Sequence, residues 1–267
     1  MSERILLFIP CYNCAPQIGR VLAQLRGPAA AHFAEVLVLD NGSSDGTVDR
    51  AREAASDITT PPITIARNHE NYHLGGSHKA AFAYAASHGF SHVVVLHGDD
   101  QGRLDDVVPV LERGDHRTHD ACLGARFMPG ASLHGYSLFR RVGNWVFNWL
   151  FSAITMRRIY DLGSGLNLFS RAVFTDPQVA RASDDLRFNN YLLLDLIDQR
   201  RRILYFPIAW REDDQISNVR LISQTLGVLQ IAWDYVARRR HFRTADHRER
   251  PVASYGMDVI TRSGADD

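Results

Sequence analysis

The sequence predicts a doubly wound α/β domain built on a mainly parallel sheet. Short apolar runs alternate with helical segments through the first half, the runs are apolar on both faces, and nearly every one ends in a polar or glycine-rich turn. Right-handed crossovers gather those turns on one rim, the edge of an open α/β sheet at which ligands bind.

The first run, "RILLFIP" at 4–10, follows a charged start and is too short for a signal peptide. No window approaches the roughly eighteen apolar residues of a membrane span, so the expected location is cytoplasmic, with peripheral contact at the inner face of a membrane left open. Cys11, Cys14 and Cys122 are an odd set, which disfavours a disulfide framework and fits a reducing compartment. Cys11 and Cys14 form a lone C-x-x-C with no second pair and read as packing residues.

The second run, "EVLVLD" at 35–40, opens the turn "DNGSSDGT". Asp40 anchors that turn or meets a ribose, Asn41 projects from it toward a nucleobase N–H, and Ser44 or Asp45 caps the helix over Gly46–Ala55. The bland alternative is a turn whose Asp and Asn satisfy their own backbone. After the third run, "ITIA" at 63–66, comes "RNHENYHLGGSHKAA", in which Gly75 and Gly76 let backbone amides approach a phosphate at the start of the helix over Gly76–His88. Lys79, one turn into that helix, is either a further cation or a plain surface lysine.

The fourth run, "HVVVLH" at 92–97, ends in "HGDDQG". Adjacent carboxylates repel and are costly to desolvate, so a cation belongs beside them. Asp99, Asp100 and Gln101 are hard oxygen donors suited to Mg²⁺ or Mn²⁺ bridging to phosphates. The structural alternative makes them helix-N-terminal acids for the segment over Leu104–Arg113. "ACLGARF" at 121–127 is the fifth run.

The second half opens with "LFRRVGNWVFNWLFSAITM" at 138–156, where Leu138, Val142, Trp145, Val146, Trp149, Leu150 and Ala153 share a helical face. That face either packs on the core or lies at a membrane interface. Beyond it come "GLNLFS", a helix around Phe188–Gln199, the strand "RILYFP" and a long helix near Val219–Arg240. The basic cluster "RRRHFR" at 238–243 is a solvated helix end or a site for anionic lipid. A single domain over 1–240 with a polar tail at 241–267 accounts for the whole length. Thirty basic residues balance thirty acidic ones in the 267, which argues against an extended nucleic-acid-binding surface.

In order and spacing, "IPCYN", "VLVLDNGSSDGT", "NYHLGGSHKAA" and "VVVLHGDDQ" resemble the family 2 glycosyltransferases, whose nucleotide-sugar-binding architecture is the GT-A fold. "LGARF", "RRVGNWVFN", "DLGSGLNLFSR" and "RILYFPIAWRE" are similar to segments of the dolichol-phosphate mannosyltransferase-like branch. The resemblance implies a nucleotide-sugar-binding half over 1–127 and an acceptor half over 128–240. It implies inverting transfer of a hexose from a UDP-, GDP- or dTDP-linked donor to a lipid phosphate or glycan acceptor, with Mg²⁺ or Mn²⁺ as cofactor.

Carried over by position, Pro10, Tyr12 and Asn13 line the nucleotide pocket with Asp40, Asn41 and Ser43. Gly75, Gly76, Lys79 and Gly98 complete the nucleotide-sugar side. Asp99 matches the last acid of the metal-binding D-x-D, Asp100 and Gln101 follow it, and His97 stands where the first acid usually stands, as a further candidate ligand. Arg126 matches a phosphate-contacting arginine. Asp161, Ser164 and Gly165 match the D-x-x-S-G turn of the acceptor side, to which Arg140 and Arg141 are added. Two further departures are Asn41 in place of an acid and Tyr191 where the branch carries a Glu. A phosphate acceptor needs no strong base, whereas a hydroxyl acceptor needs one, for which Asp184, Asp185 and Asp195 are the candidates. The rival readings are a silent nucleotide-sugar-binding subunit and a nucleotidyltransferase, the latter disfavoured because "PCYNCAPQ" is not a basic glycine-rich loop.

Overall fold

The computed structural model describes residues 3–212 and 221–263. Its strands are β1 (Ile5–Cys11), β2 (Glu35–Asp40), β3 (Ile63–Asn68), β4 (His92–Leu96), β5 (Ala121–Ala125), β6 (Ser132–His134), β7 (Leu166–Ser170), β8 (Ile203–Pro207), β9 (Ala209–Arg211) and β10 (Met257–Arg262). Eight of them form one sheet in the order β10-β3-β2-β1-β4-β7-β5-β8, while β6 and β9 pair separately. Within the large sheet β3, β2, β1 and β4 run parallel, as do β5 and β8. All of "GLNLFS" but its first glycine becomes β7, which descends from the rim and pairs antiparallel with both β4 and β5.

Burial on both faces follows from period-two alternation. Leu6 and Phe8 of β1 join one apolar cluster with the helices His73–Ser87 and Phe188–Asp198. Ile5, Leu7 and Ile9 join the other, beneath the helices Ala15–Ala23 and Thr47–Ala55.

Two expectations change, and one open alternative is decided. The helix after β2 begins at Thr47, with Gly46 at its N-cap in the left-handed region, and Asp45 accepts from the Thr47 N–H at 3.1 Å from one residue further back. The polar tail expected at 241–267 packs onto the domain over its described part, 241–263: β10 closes the sheet edge against β3, and Arg262 reaches the buried Glu35 at 3.2 Å. The helix Leu138–Thr155 does not bury its apolar face. Asn144, Asn148 and Ser152 turn inward, to the Tyr136 hydroxyl and the Tyr160 and Ile159 carbonyls, while Trp145 and Trp149 stand 58% and 73% exposed. Only Phe151 and Asn148 of this helix are buried. The helix Leu221–Ala237 packs beside it and exposes Leu226, Leu229, Trp233 and Val236. The expected start of that helix at Val219 lies outside the described residues.

Candidate active site

The rim forms where β1, β4 and β5 end and β7 begins. Gly98 is needed there because a Cβ would stand 2.7 Å from Cys11 Sγ, and its N–H reaches the Pro10 carbonyl at 3.0 Å. His97 is anchored by its own N–H on the Gly165 carbonyl at 3.0 Å. Gly165 has no room for a side chain, since a Cβ would lie 2.8 Å from His97 Cγ. Desolvation pulls the His97 imidazole down to about 4, with nearby Arg126 adding to the effect, so the ring is neutral at pH 7; its Nε2 is buried and finds no partner among the described residues.

Asp99 and Asp100 part company. Desolvation lifts Asp99 to about 6, against the pull of the Gln101 N–H at 3.2 Å and of Arg126. Asp100 turns away at positive φ and pairs with Arg20 at 2.6 Å and with Arg211. Its charge is thus already compensated, and the expected place beside Asp99 as a metal ligand is taken up by an ion-pair cluster.

Arg126 leaves β5 and is clamped by Asp161 through Nε and Nη2, both at 2.8 Å, with Nη2 also on the Gly163 carbonyl. The guanidinium lies over Trp210 at 5.1 Å, and its Nη1 hydrogens meet no acceptor among the described residues. Asp161 is therefore the residue that positions Arg126. Ser164 Oγ is used within its own turn, on the Leu166 carbonyl at 3.1 Å. Arg140 is held by Glu212 at 2.7 Å, and Arg141 has a buried Nε without a partner among the described residues.

The loops after β1, β2 and β3 hold one another. Asn13 donates its N–H to Ser43 Oγ at 2.8 Å and accepts from the Ser44 N–H at 3.0 Å, while Asp40 caps the Ser43 N–H and pairs with Arg67. Tyr12 projects half-exposed beside them. Asn41 does not project. Its buried amide donates to Asn71 and accepts from the Asn68 amide and the Tyr72 N–H, so it is a bolt between loops and is not free to read a base. Gly75 and Gly76 aim their N–H groups at the Asp184 carbonyl, at 2.6 and 3.2 Å, and leave none for a phosphate. Lys79 is neither at the surface nor at the rim, because it is buried against Asp184 at 2.6 Å with the Tyr255 hydroxyl at 3.4 Å.

The candidate bases are likewise occupied. Asp184 holds Lys79 and accepts from the Tyr255 hydroxyl at 2.7 Å. Asp185 pairs with Arg187 and accepts its N–H, and those bonds pull its carboxyl down against desolvation. Asp195 sits near Asp176 and Arg201, at the end of the sheet where β5 and β8 begin, opposite the rim. Tyr191, in the position of the expected Glu, stacks on His247 at 4.3 Å.

Residues 7–177 match the model of glycosyl transferase family 2. The chain belongs to that family. An undecaprenyl-phosphate mannosyltransferase of Micrococcus luteus is 29% identical over 142 residues, covering 53% of this chain and 56% of that protein. A polyprenol monophosphomannose synthase of Mycolicibacterium smegmatis is 24% identical over 64% of this chain and 63% of its own. The matches thus span a little over half to under two-thirds of those relatives' lengths. Among solved structures, a glucosyl-3-phosphoglycerate synthase from Mycobacterium tuberculosis, with Mn²⁺, UDP-glucose and phosphoglyceric acid, superposes with a TM-score of 0.64 at 16% identity, covering 89% of this chain and 80% of that one. The fold is GT-A.

A divalent ion of the kind bound by that neighbour is compatible with the donors present here. Asp99 carries a desolvated carboxylate that a cation would relieve, Gln101 adds an amide oxygen, and the unpartnered His97 nitrogen lies on the same segment. Arg20, Arg211, Trp210 and Glu212, which shape this family 2 site, were not singled out from sequence. The only available signal was the "AWRE" segment, where the arginine and glutamate bracket the rim from β9 onward.

Proposed function

We propose that this protein transfers a hexose, with inversion, from a nucleoside-diphosphate sugar to an acceptor that is itself a phosphate, carried on a polyprenyl chain. The observation that carries this reading is that the candidate bases of the acceptor half are committed elsewhere. Asp184 and Asp185 are ion-paired and Asp195 faces the other end of the sheet, so an acceptor that arrives already ionised suits this site. The names of the similar mannosyltransferases support it.

Asp99 and Gln101 would hold Mg²⁺ or Mn²⁺. When bound, the ion neutralises the diphosphate leaving group. Arg126, immobilised by Asp161, offers its Nη1 hydrogens to a phosphate oxygen without having to reorganise. Tyr12, half-exposed beside the Asp40 turn, is placed to flank the nucleotide. Arg141 supplies a cation from the acceptor half.

The outward apolar face of the helix Leu138–Thr155, together with Trp233 and the exposed Arg157, Arg158 and Arg240, fits surface contact with an anionic bilayer in which such an acceptor is dissolved. No described helix is long and apolar enough to cross a membrane.

The deciding experiment measures nucleoside diphosphate released from UDP-, GDP- and dTDP-sugars with Mn²⁺, offering a polyprenyl phosphate, the unphosphorylated polyprenol, and phosphoglycerate. Release that requires the polyprenyl phosphate and disappears in Asp99→Ala is expected. Release with the free alcohol alone would replace this reading by one with a protein base. Donor binding without release from any acceptor would favour a silent nucleotide-sugar-binding subunit.

A further inference from the structure

We propose that Glu3, His92 and His116 form a cation site separate from the rim, at the opposite end of the sheet, which takes Zn²⁺ and ties three distant segments of the chain together.

The topology gathers the three residues. His92 opens β4 and stands opposite Ile5 of β1, Glu3 lies just before β1, and His116 lies in the turn Asp115–Arg117 that precedes β5. Taking one ligand atom from each side chain, all three atoms lie within 4.8 Å of one another, although Glu3 and His116 are 113 positions apart in the chain. His116 Nε2 and Glu3 Oε1 are 2.9 Å apart, which is the spacing of two ligands at right angles on an ion with bonds of about 2.0–2.1 Å.

The two rings are held in place for such an ion. His92 Nδ1 is 3.1 Å from Ser91 Oγ, itself fixed by the Arg4 N–H at 3.0 Å, so the other nitrogen, Nε2, points toward His116 and lies 3.1 Å from that residue's carbonyl. The His116 side chain is 1% exposed and its Nδ1 meets no partner among the described residues, whereas buried polar atoms are paired in the great majority of cases. The rings themselves meet edge to face, with centroids 5.1 Å apart.

Two imidazoles and a carboxylate are donors suited to Zn²⁺, and Mg²⁺, which favours oxygen, is poorly served by them. Arg117 is the competitor for the carboxylate, since its Nε and Nη2 reach the Glu3 oxygens at 3.0 and 2.9 Å. Its side chain is 65% exposed, so the guanidinium can turn into solvent at small cost when an ion takes its place.

The test titrates Zn²⁺ into the full chain, as wild type and as Asp99→Ala, the latter to remove the rim's carboxylate, and follows heat and melting temperature. The Asp99→Ala chain should still bind one Zn²⁺, melt at a higher temperature with it, and keep it in excess Mg²⁺. Adding Glu3→Gln or His92→Gln should weaken that binding by about tenfold or more, and adding Arg117→Met should tighten it, a direction that a plain ion-pair cluster does not give. The inference is overturned if the Asp99→Ala chain binds no Zn²⁺, if Mg²⁺ displaces the ion, or if any of the three added substitutions leaves the affinity unchanged. Each of those results leaves the proposed function standing, because none involves the rim.

Discussion

Asp195 is a carboxyl whose surroundings favour its neutral form, chiefly through desolvation, which lifts it from 3.8 to about 6. A raised carboxyl binds its proton more tightly in the folded chain, so ionising it costs stability that is absent below pH 4 and fully felt above pH 6. The full shift corresponds to about 3 kcal/mol, discounted to about 1–2 kcal/mol for partial exposure. Asp195→Asn should therefore raise the melting temperature at pH 7.5, with the gain fading as the buffer approaches pH 4; an equal gain at both pH values would refute the cause. Lys79 and Asp184 form the opposite case, two charges that tolerate burial only together. Lys79→Met strands a carboxylate and should cost about 3–5 kcal/mol in urea unfolding, while Lys79→Met with Asp184→Leu recovers most of it. Donor binding by the folded double variant should match wild type, which separates a buried pair from a phosphate contact. Neither role was legible in sequence, since partners 105 positions apart leave no local pattern. Asn41 was misjudged for the same reason: an Asx turn looks the same whether its amide faces solvent or the Asn68, Asn71 and Tyr72 segment.

At the scale of the element, the helix Leu138–Thr155 divides its apolar residues: Phe147, Leu150, Phe151 and Ile154 pack on the core beside the inward amides Asn144 and Asn148, while the indoles face outward. Periodicity located this helix and its apolar stripe but could not say which way the stripe faces, because the inward partners are carbonyls and a hydroxyl supplied by other segments. Trp145→Ser and Trp149→Ser should move stability by no more than about 0.5 kcal/mol, as exposed substitutions do. The same pair should abolish co-flotation with vesicles containing anionic lipid. A large loss of stability would show that the tryptophans are packed in solution. The strands β1 to β5, by contrast, were readable because each is apolar on both faces and ends in a turn, a signal that needs no distant partner.

For the molecule as a whole, the parallel run of the first strands and the position of the rim followed from the apolar runs and handedness, whereas the strand order and the closure of the sheet did not. The chain between 241 and 263 reads as polar, and β10 is largely exposed at an edge, so beyond its backbone ladder with β3 it is tied down by Arg262 meeting Glu35 and by Tyr255, just before it, meeting Asp184. Truncation after residue 250 should expose the β3 edge and release both contacts. A lower melting temperature with concentration-dependent aggregation is expected, and an unchanged, monomeric protein would show that β10 is dispensable.

The bond between the Ile63 N–H and Ser263 Oγ joins residues 200 positions apart. A chain made from its amino terminus must therefore carry β3 with one side unprotected while the rest of the sheet emerges from the ribosome. Chaperone attention during synthesis should concentrate on that strand, and pausing translation before residue 257 should prolong it.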